Sequence, residues 1–226
     1  MDKKLILESN LNLIQYTESI SRQFLKIVNP LLQNLPISTF VYWKLLRTGH
    51  YFILSNDLQI MQSYLNHHIS DNQNYFLQEI RQIKEGSNYK NLWPLNDINK
   101  LPGLSLRHQL NICHGMSITY NQIGYTESFI FAAPIECDKV LDLYLNHPYI
   151  LERFIIYFKN KAKHLIDSAD PKIFAFSPLY QKAQIIVEDT NIDSRSIFNK
   201  ECFKQTTDIK KLYLKIIHKP IFQPKK

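Results

Sequence analysis

Two pairs of strand-forming runs, each joined by a short turn that carries a glycine, constrain this chain more than any other feature. The first pair is Thr39-Phe40-Val41-Tyr42-Trp43-Lys44-Leu45-Leu46 and residues 51–54, joined across Arg47-Thr48-Gly49-His50. The second joins residues 116–121 to residues 125–133 around Asn121-Gln122-Ile123-Gly124. Runs rich in β-branched and aromatic residues, separated by so few residues, close as hairpins, since a parallel pairing needs a crossover of a dozen residues or more. Two hairpins imply one antiparallel sheet.

Helical periodicity surrounds the hairpins. Ile20, Phe24, Ile27 and Val28 share a helical face over residues 17–28, and Asn29-Pro30 interrupts it, which predicts a kinked helix or two short ones. Ser55-Asn56-Asp57 supplies an N-cap for a helix that carries Leu58, Met61, Tyr64 and Leu65, and a further helix is expected over residues 74–84. Residues 89–103 read as loop with one edge strand, and residues 104–113 as helix. The strongest stripe spans residues 137–169 and is divided at Asn146-His147-Pro148, its second half apolar on one side with lysines opposite. Helices interleaved with hairpins indicate an α/β (α+β) fold, an α-β-α sandwich around a central antiparallel sheet of the PAS-like or GAF-like kind. The character changes near Pro171, so residues 1–170 are expected to form the principal domain and residues 171–226 an extension.

Composition excludes several classes. Hydrophobic residues make up 45% and charged residues 21%, the proportions of a globular chain. No apolar window reaches the length of a membrane span, and the N-terminal apolar run, Leu5-Ile6-Leu7, is too short for a secretory signal. Three dispersed cysteines make neither a disulfide frame nor a metal clip, so a reducing cytoplasmic setting and no metal are expected. Five glycines in 226 residues include no phosphate-cradling loop, so no nucleotide cofactor is expected. Of the net charge of +7, residues 200–226 carry +6, from eight lysines against Glu201 and Asp208. The body is close to neutral and the tail is basic, which suits a linker better than a reader of nucleic-acid sequence.

Cys113-His114-Gly115-Met116-Ser117-Ile118-Thr119, Glu127-Ser128-Phe129-Ile130-Phe131-Ala132-Ala133, Leu143-Tyr144-Leu145-Asn146 and the run Leu151-Glu152-Arg153-Phe154-Ile155-Ile156-Tyr157-Phe158-Lys159 together resemble the N-terminal autoinducer-binding domain of LuxR-type transcriptional regulators, in the branch of Legionella-like intracellular bacteria. The resemblance extends over about residues 17–222. It implies a non-enzymatic sensory domain that binds a small amphipathic molecule, dimerises with itself or with full-length homologues, and modulates transcription. Residues 203–214 are similar to the linker that leads, in the family, to a helix-turn-helix module, and that module is expected to be absent here. The nearest counterpart of the family's Trp-x-x-x-Tyr motif is Ile60-x-x-x-Tyr64, which lacks the first Trp, with Trp93 similar to the later aromatic position.

Tyr42, Tyr64 and Trp93 are the candidate ligand-binding residues, because aromatic walls bearing a few polar groups suit a small amphipathic ligand held between sheet and helices. A purely structural aromatic core is the competing reading. Cys113-His114 invites a hydrolase reading, but adjacent side chains diverge and no orienting acid is evident, so no catalytic residue is expected. His67-His68 lacks the spacing of a metal site. The long amphipathic helix near residues 148–168 is expected to close the domain on the sheet and to offer a self-complementary face for a twofold dimer, and a protein-interaction module without ligand is the alternative function.

Overall fold

A computed structural model describes residues 3–68, 83–93, 107–167, 169 and 174–176, with the backbone alone described at residues 3–7, 64, 66–68 and 175–176. The chain divides into two units, Met1–Ala183 and Gln184–Lys226, and every described residue belongs to the first. The elements run α1 (Lys3–Asn34), β1 (Thr39–Leu46), β2 (His50–Ser55), α2 (Leu58–His68), β3 (Asn88–Leu92), β4 (His114–Gln122), β5 (Tyr125–Ala133), α3 (Lys139–Asn146), α4 (Pro148–Asp167) and β6 (Ala175–Phe176). The six strands form one antiparallel sheet in the order β3-β4-β5-β1-β2-β6.

Both hairpins form where the sequence places them. The β4–β5 turn is Ile123-Gly124, with Gln122 paired to Tyr125, and Gly124 takes φ 84°, a left-handed conformation open to a residue without Cβ. Asp57 caps α2, its Oδ1 accepting from the Ile60 amide at 3.1 Å, as the Ser55-Asn56-Asp57 signal requires. The division at His147 separates α3 from α4, and β3 is the expected edge strand.

Other expectations change. The first helix begins near the N-terminus and continues through Pro30, since the lost amide bond falls close to its C-terminal end, where Leu35 N–H still bonds the Leu31 carbonyl at 3.0 Å. Of the helix expected over residues 104–113, residues 107–109 are helical, residues 104–106 lie outside the described residues, and the left-handed Asn111, φ 51°, stands between the helical residues and β4. The helix expected over residues 74–84 lies largely outside the described residues. β6 pairs with β2, and Phe174 packs against Phe52 at 5.3 Å between ring centroids, so the sheet recruits residues that the sequence reading assigned to the extension.

Strand alternation sends successive side chains to opposite faces. Phe40, Tyr42, Phe52, Phe129 and Phe131 point to one face, where α1 and α4 bring Phe24, Phe154 and Phe158 onto them. Thr39, Val41, Trp43, Ile53, Gly115, Ser128, Ile130 and Ala132 occupy the other face, under α2. The result is an α-β-α sandwich around an antiparallel sheet.

The chain path explains the layers. β2 and β3 lie toward opposite edges, and α2, between them in the chain, covers one face. α3 and α4 connect β5 to β6 over the other. The α4 stripe, Leu151, Phe154, Ile155, Phe158, Ala162, Leu165 and Ile166, is buried within this chain. The helix thus closes the domain on the sheet as expected, and only its outward residues, such as Tyr149 and Ile156, are left for a dimer face.

Candidate functional site

The face under α2 holds a cavity. Its floor is the sheet: Thr39, Val41 and Trp43 from β1, Ile53 from β2, and Ile130 and Ala132 from β5. Its roof is Ile60 and Met61 of α2, and its side is Trp93 and Ile112. The register explains why space remains here. Thr39 pairs with Ala132, and Ala132 with Gly115, so three neighbouring strands present small side chains side by side. On the opposite face the equivalent pairs are Phe40 with Phe131 and Tyr42 with Phe129.

The space between the walls is about 380 Å³ with its mouth included, yet it is narrow, with room for about one water-sized molecule as it stands. Anything larger than a water would have to displace side chains to enter. Met61 is suited to that by its unbranched thioether.

Trp93 follows β3 and remains in register, its N–H donating to the Gly115 carbonyl at 2.8 Å. Its ring lies directly over Gly115, where any Cβ would overlap it. A glycine inside a strand marks such a close approach of a neighbouring group, a signal in Cys113-His114-Gly115 that concerned backbone packing and not thiol chemistry. Arg107 stacks on the same indole, its guanidinium carbon 3.6 Å from the ring centroid.

The three residues singled out from the sequence do not converge. Trp93 lines the cavity. Tyr42 points to the opposite face, where its hydroxyl donates to Glu127 Oε1 at 2.8 Å and its ring packs 5.4 Å from that of Phe158. Burial, and then the Glu127 charge, raise its pKa far above the ordinary tyrosine range. Tyr64 belongs to α2, and its side chain lies outside the described residues. Residues the sequence reading missed include Thr39, Val41, Trp43, Ile130 and Ala132. Strict alternation from Trp43 identifies most of them once the cavity face is known.

Glu127 is nearly fully buried on the aromatic face, and both its oxygens are used. Oε1 accepts from Tyr42, and Oε2 accepts from Lys159 of α4 at 2.6 Å. This arrangement ties α4 to the sheet centre and leaves no free oxygen for proton transfer.

Cys113 and His114 do not form a nucleophile–base pair. Burial, and then the Glu136 charge, raise the Cys113 thiol, opposite to the shift that activates a thiolate. His114 Nε2 is engaged by the Ile135 carbonyl at 2.8 Å, with Asp138 Oδ1 at 3.4 Å. Among the described residues no group of three His, Cys, Asp or Glu side chains is placed to hold a metal ion, and no helix is long and apolar enough to cross a membrane.

No family model and no curated protein matches this sequence. Among solved structures, the chain is similar to the crystal structure of CepR2 from Burkholderia cenocepacia, an N-acylhomoserine lactone dependent LuxR family transcription factor. That likeness has 11% identity and a TM-score of 0.43, covering 70% of this chain and 96% of the other.

Proposed function

We propose that this chain is a non-enzymatic sensory domain of LuxR-type character, which binds a small, mainly apolar molecule between the sheet and α2 and so modulates transcription. The cavity itself carries this reading. Small side chains stand at the centre of an otherwise aromatic-rich sheet, and two tryptophans, an isoleucine-rich floor and a methionine surround them. A protein interior normally closes such gaps because each lost contact is destabilising, so a gap walled by adaptable side chains suits a ligand that completes the packing.

In this reading the domain works in the cytoplasm and requires no cofactor. Pairing with a second copy or with a full-length relative would use outward-facing residues of α4, such as Tyr149 and Ile156, because the main stripe is already occupied.

Native mass spectrometry of the full chain purified from its own host tests the reading. The expected result is a small-molecule mass present on gentle ionisation and lost on denaturation. Ala132→Phe, which fills the floor, should remove that mass, and Tyr42→Phe on the opposite face should not. A bound mass unaffected by Ala132→Phe would place the ligand elsewhere, and a clean dimer with no ligand would favour an interaction module.

A further inference from the structure

Arg107 lies in the helical turn that precedes β4 and is 9% exposed. Its Nε and Nη1 are buried, and neither has a hydrogen-bond partner among the described residues. A guanidinium keeps its charge and offers five in-plane donors in a fork that fits a carboxylate. Stacking on Trp93 at 3.6 Å supplies cation–π attraction to the face of the guanidinium. It does not satisfy the donors along its edge. A buried donor without an acceptor is strongly unfavourable, more so when it carries charge, and an acceptor that arrives with a ligand removes that penalty.

Two residues connect Arg107 to the cavity. Trp93 and Ile112 line it. Trp93 carries the guanidinium on its ring, and Ile112 N–H donates to the Arg107 carbonyl at 2.9 Å. A guanidinium with two donors unpartnered among the described residues thus stands beside a cavity whose described walls bear no charge. The ligand that matches both has an apolar body and one anionic head. With a single guanidinium and no second cation in the described lining, a monocarboxylate fits better than a dianionic phosphate.

We infer that Arg107 receives the carboxylate of an amphipathic organic acid whose apolar portion occupies the cavity against Trp93. This rests on the cavity being the ligand site, as proposed above. Trp93 then serves two purposes, as a wall for the tail and as a platform that holds the guanidinium in place.

The chain has two tryptophans, Trp43 and Trp93, and both line the cavity, so intrinsic fluorescence reports its occupancy. Octanoate and octan-1-ol serve as probes, titrated into the full chain below their aggregation limits and followed by fluorescence and calorimetry. Octanoate should bind more tightly than octan-1-ol. Arg107→Met should weaken octanoate by about 10- to 100-fold, the range for lost hydrogen bonds to a charged group, and change octan-1-ol by less than about 3-fold. Arg107→Lys, which keeps the charge and the aliphatic stem, should recover part of the octanoate affinity, separating loss of charge from loss of packing. Equal binding of the two probes, or equal weakening of both by Arg107→Met, would overturn the acid-head assignment while the cavity reading stands. Failure of both probes to bind would overturn the assignment and the cavity reading together.

Discussion

The two faces of the sheet are built from the same strands and differ in almost everything else. One face is tiled with phenylalanine and tyrosine: Phe158 is fully buried, with its ring centroid 4.9 Å from Phe40, 5.9 Å from Phe24 and 6.1 Å from Phe129. The other carries Thr39, Gly115, Ser128 and Ala132 at its centre and leaves a cavity under α2. Since side chains alternate with period two, each face can be tuned without disturbing the ladder that both share. The aromatic face is closely packed, and the small-residue face is the one on which the proposed ligand site lies.

The largest expected effect tests the aromatic face. Phe158→Ala should destabilise the chain by about 3–5 kcal/mol in denaturant unfolding, because rings on three sides cannot collapse into the void. A loss below about 1 kcal/mol would mean that α4 is not the stabilising lid. On the cavity face, Gly115→Ala should cost about 1–3 kcal/mol by overpacking and shift the tryptophan emission, since the added methyl displaces Trp93. An unchanged spectrum would remove the close approach from the account.

Alkaline pH probes both faces together. Tyr42, Tyr51 and Tyr144 are held protonated above the ordinary tyrosine range, in each case chiefly by burial. The unfolded chain releases these protons near pH 10 and the folded chain does not, so the unfolded state binds fewer protons and stability falls as pH rises above about 10. Each tyrosine contributes a slope of about 1.4 kcal/mol per pH unit. Tyr144→Phe should remove one proton's share of that slope, although it also removes the bond from the Tyr144 hydroxyl to the Phe131 carbonyl. A slope unchanged in this variant would show that Tyr144 ionises in the folded state.

Two smaller effects sharpen the contrast. Lys159→Met leaves one Glu127 oxygen without its cation, and because Lys159 is half-exposed the cost should be about 1 kcal/mol by thermal or denaturant unfolding. Ala132→Val adds volume beside the cavity and should alter stability by less than about 1 kcal/mol. A cost of several kcal/mol there would show that the floor is already tightly packed.

Much of the architecture is legible in the residues. The β4–β5 turn is marked by Ile123-Gly124, the α2 start by Asp57, and the α3–α4 break by His147-Pro148, because each depends on backbone preferences acting over a few residues. The continuity of α1 through Pro30 is less legible. A proline near the end of a helix removes one bond, and packing of Phe24, Val28 and Leu31 in the core can outweigh that loss. The recruitment of Ala175 and Phe176 to the sheet depends on the free edge of β2, a partner more than a hundred residues distant in sequence.

Of the candidate site, the sequence by itself determined that β1 and β5 are strands rich in aromatic and β-branched residues within one antiparallel sheet. It showed Tyr42 and Trp93 as aromatic and polar-tipped, but residue type does not say which face of a sheet receives which helix. Only the tertiary structure decided that Tyr42 faces α4 and Trp93 the cavity. It also decided that Gly115 lies beneath the indole and that Arg107, unremarkable in the chain, is buried beside it without a described hydrogen-bond partner at Nε or Nη1. The physical reason is that covering a face and burying a charge are long-range events, settled by where crossover connections run and not by the preferences of neighbouring residues.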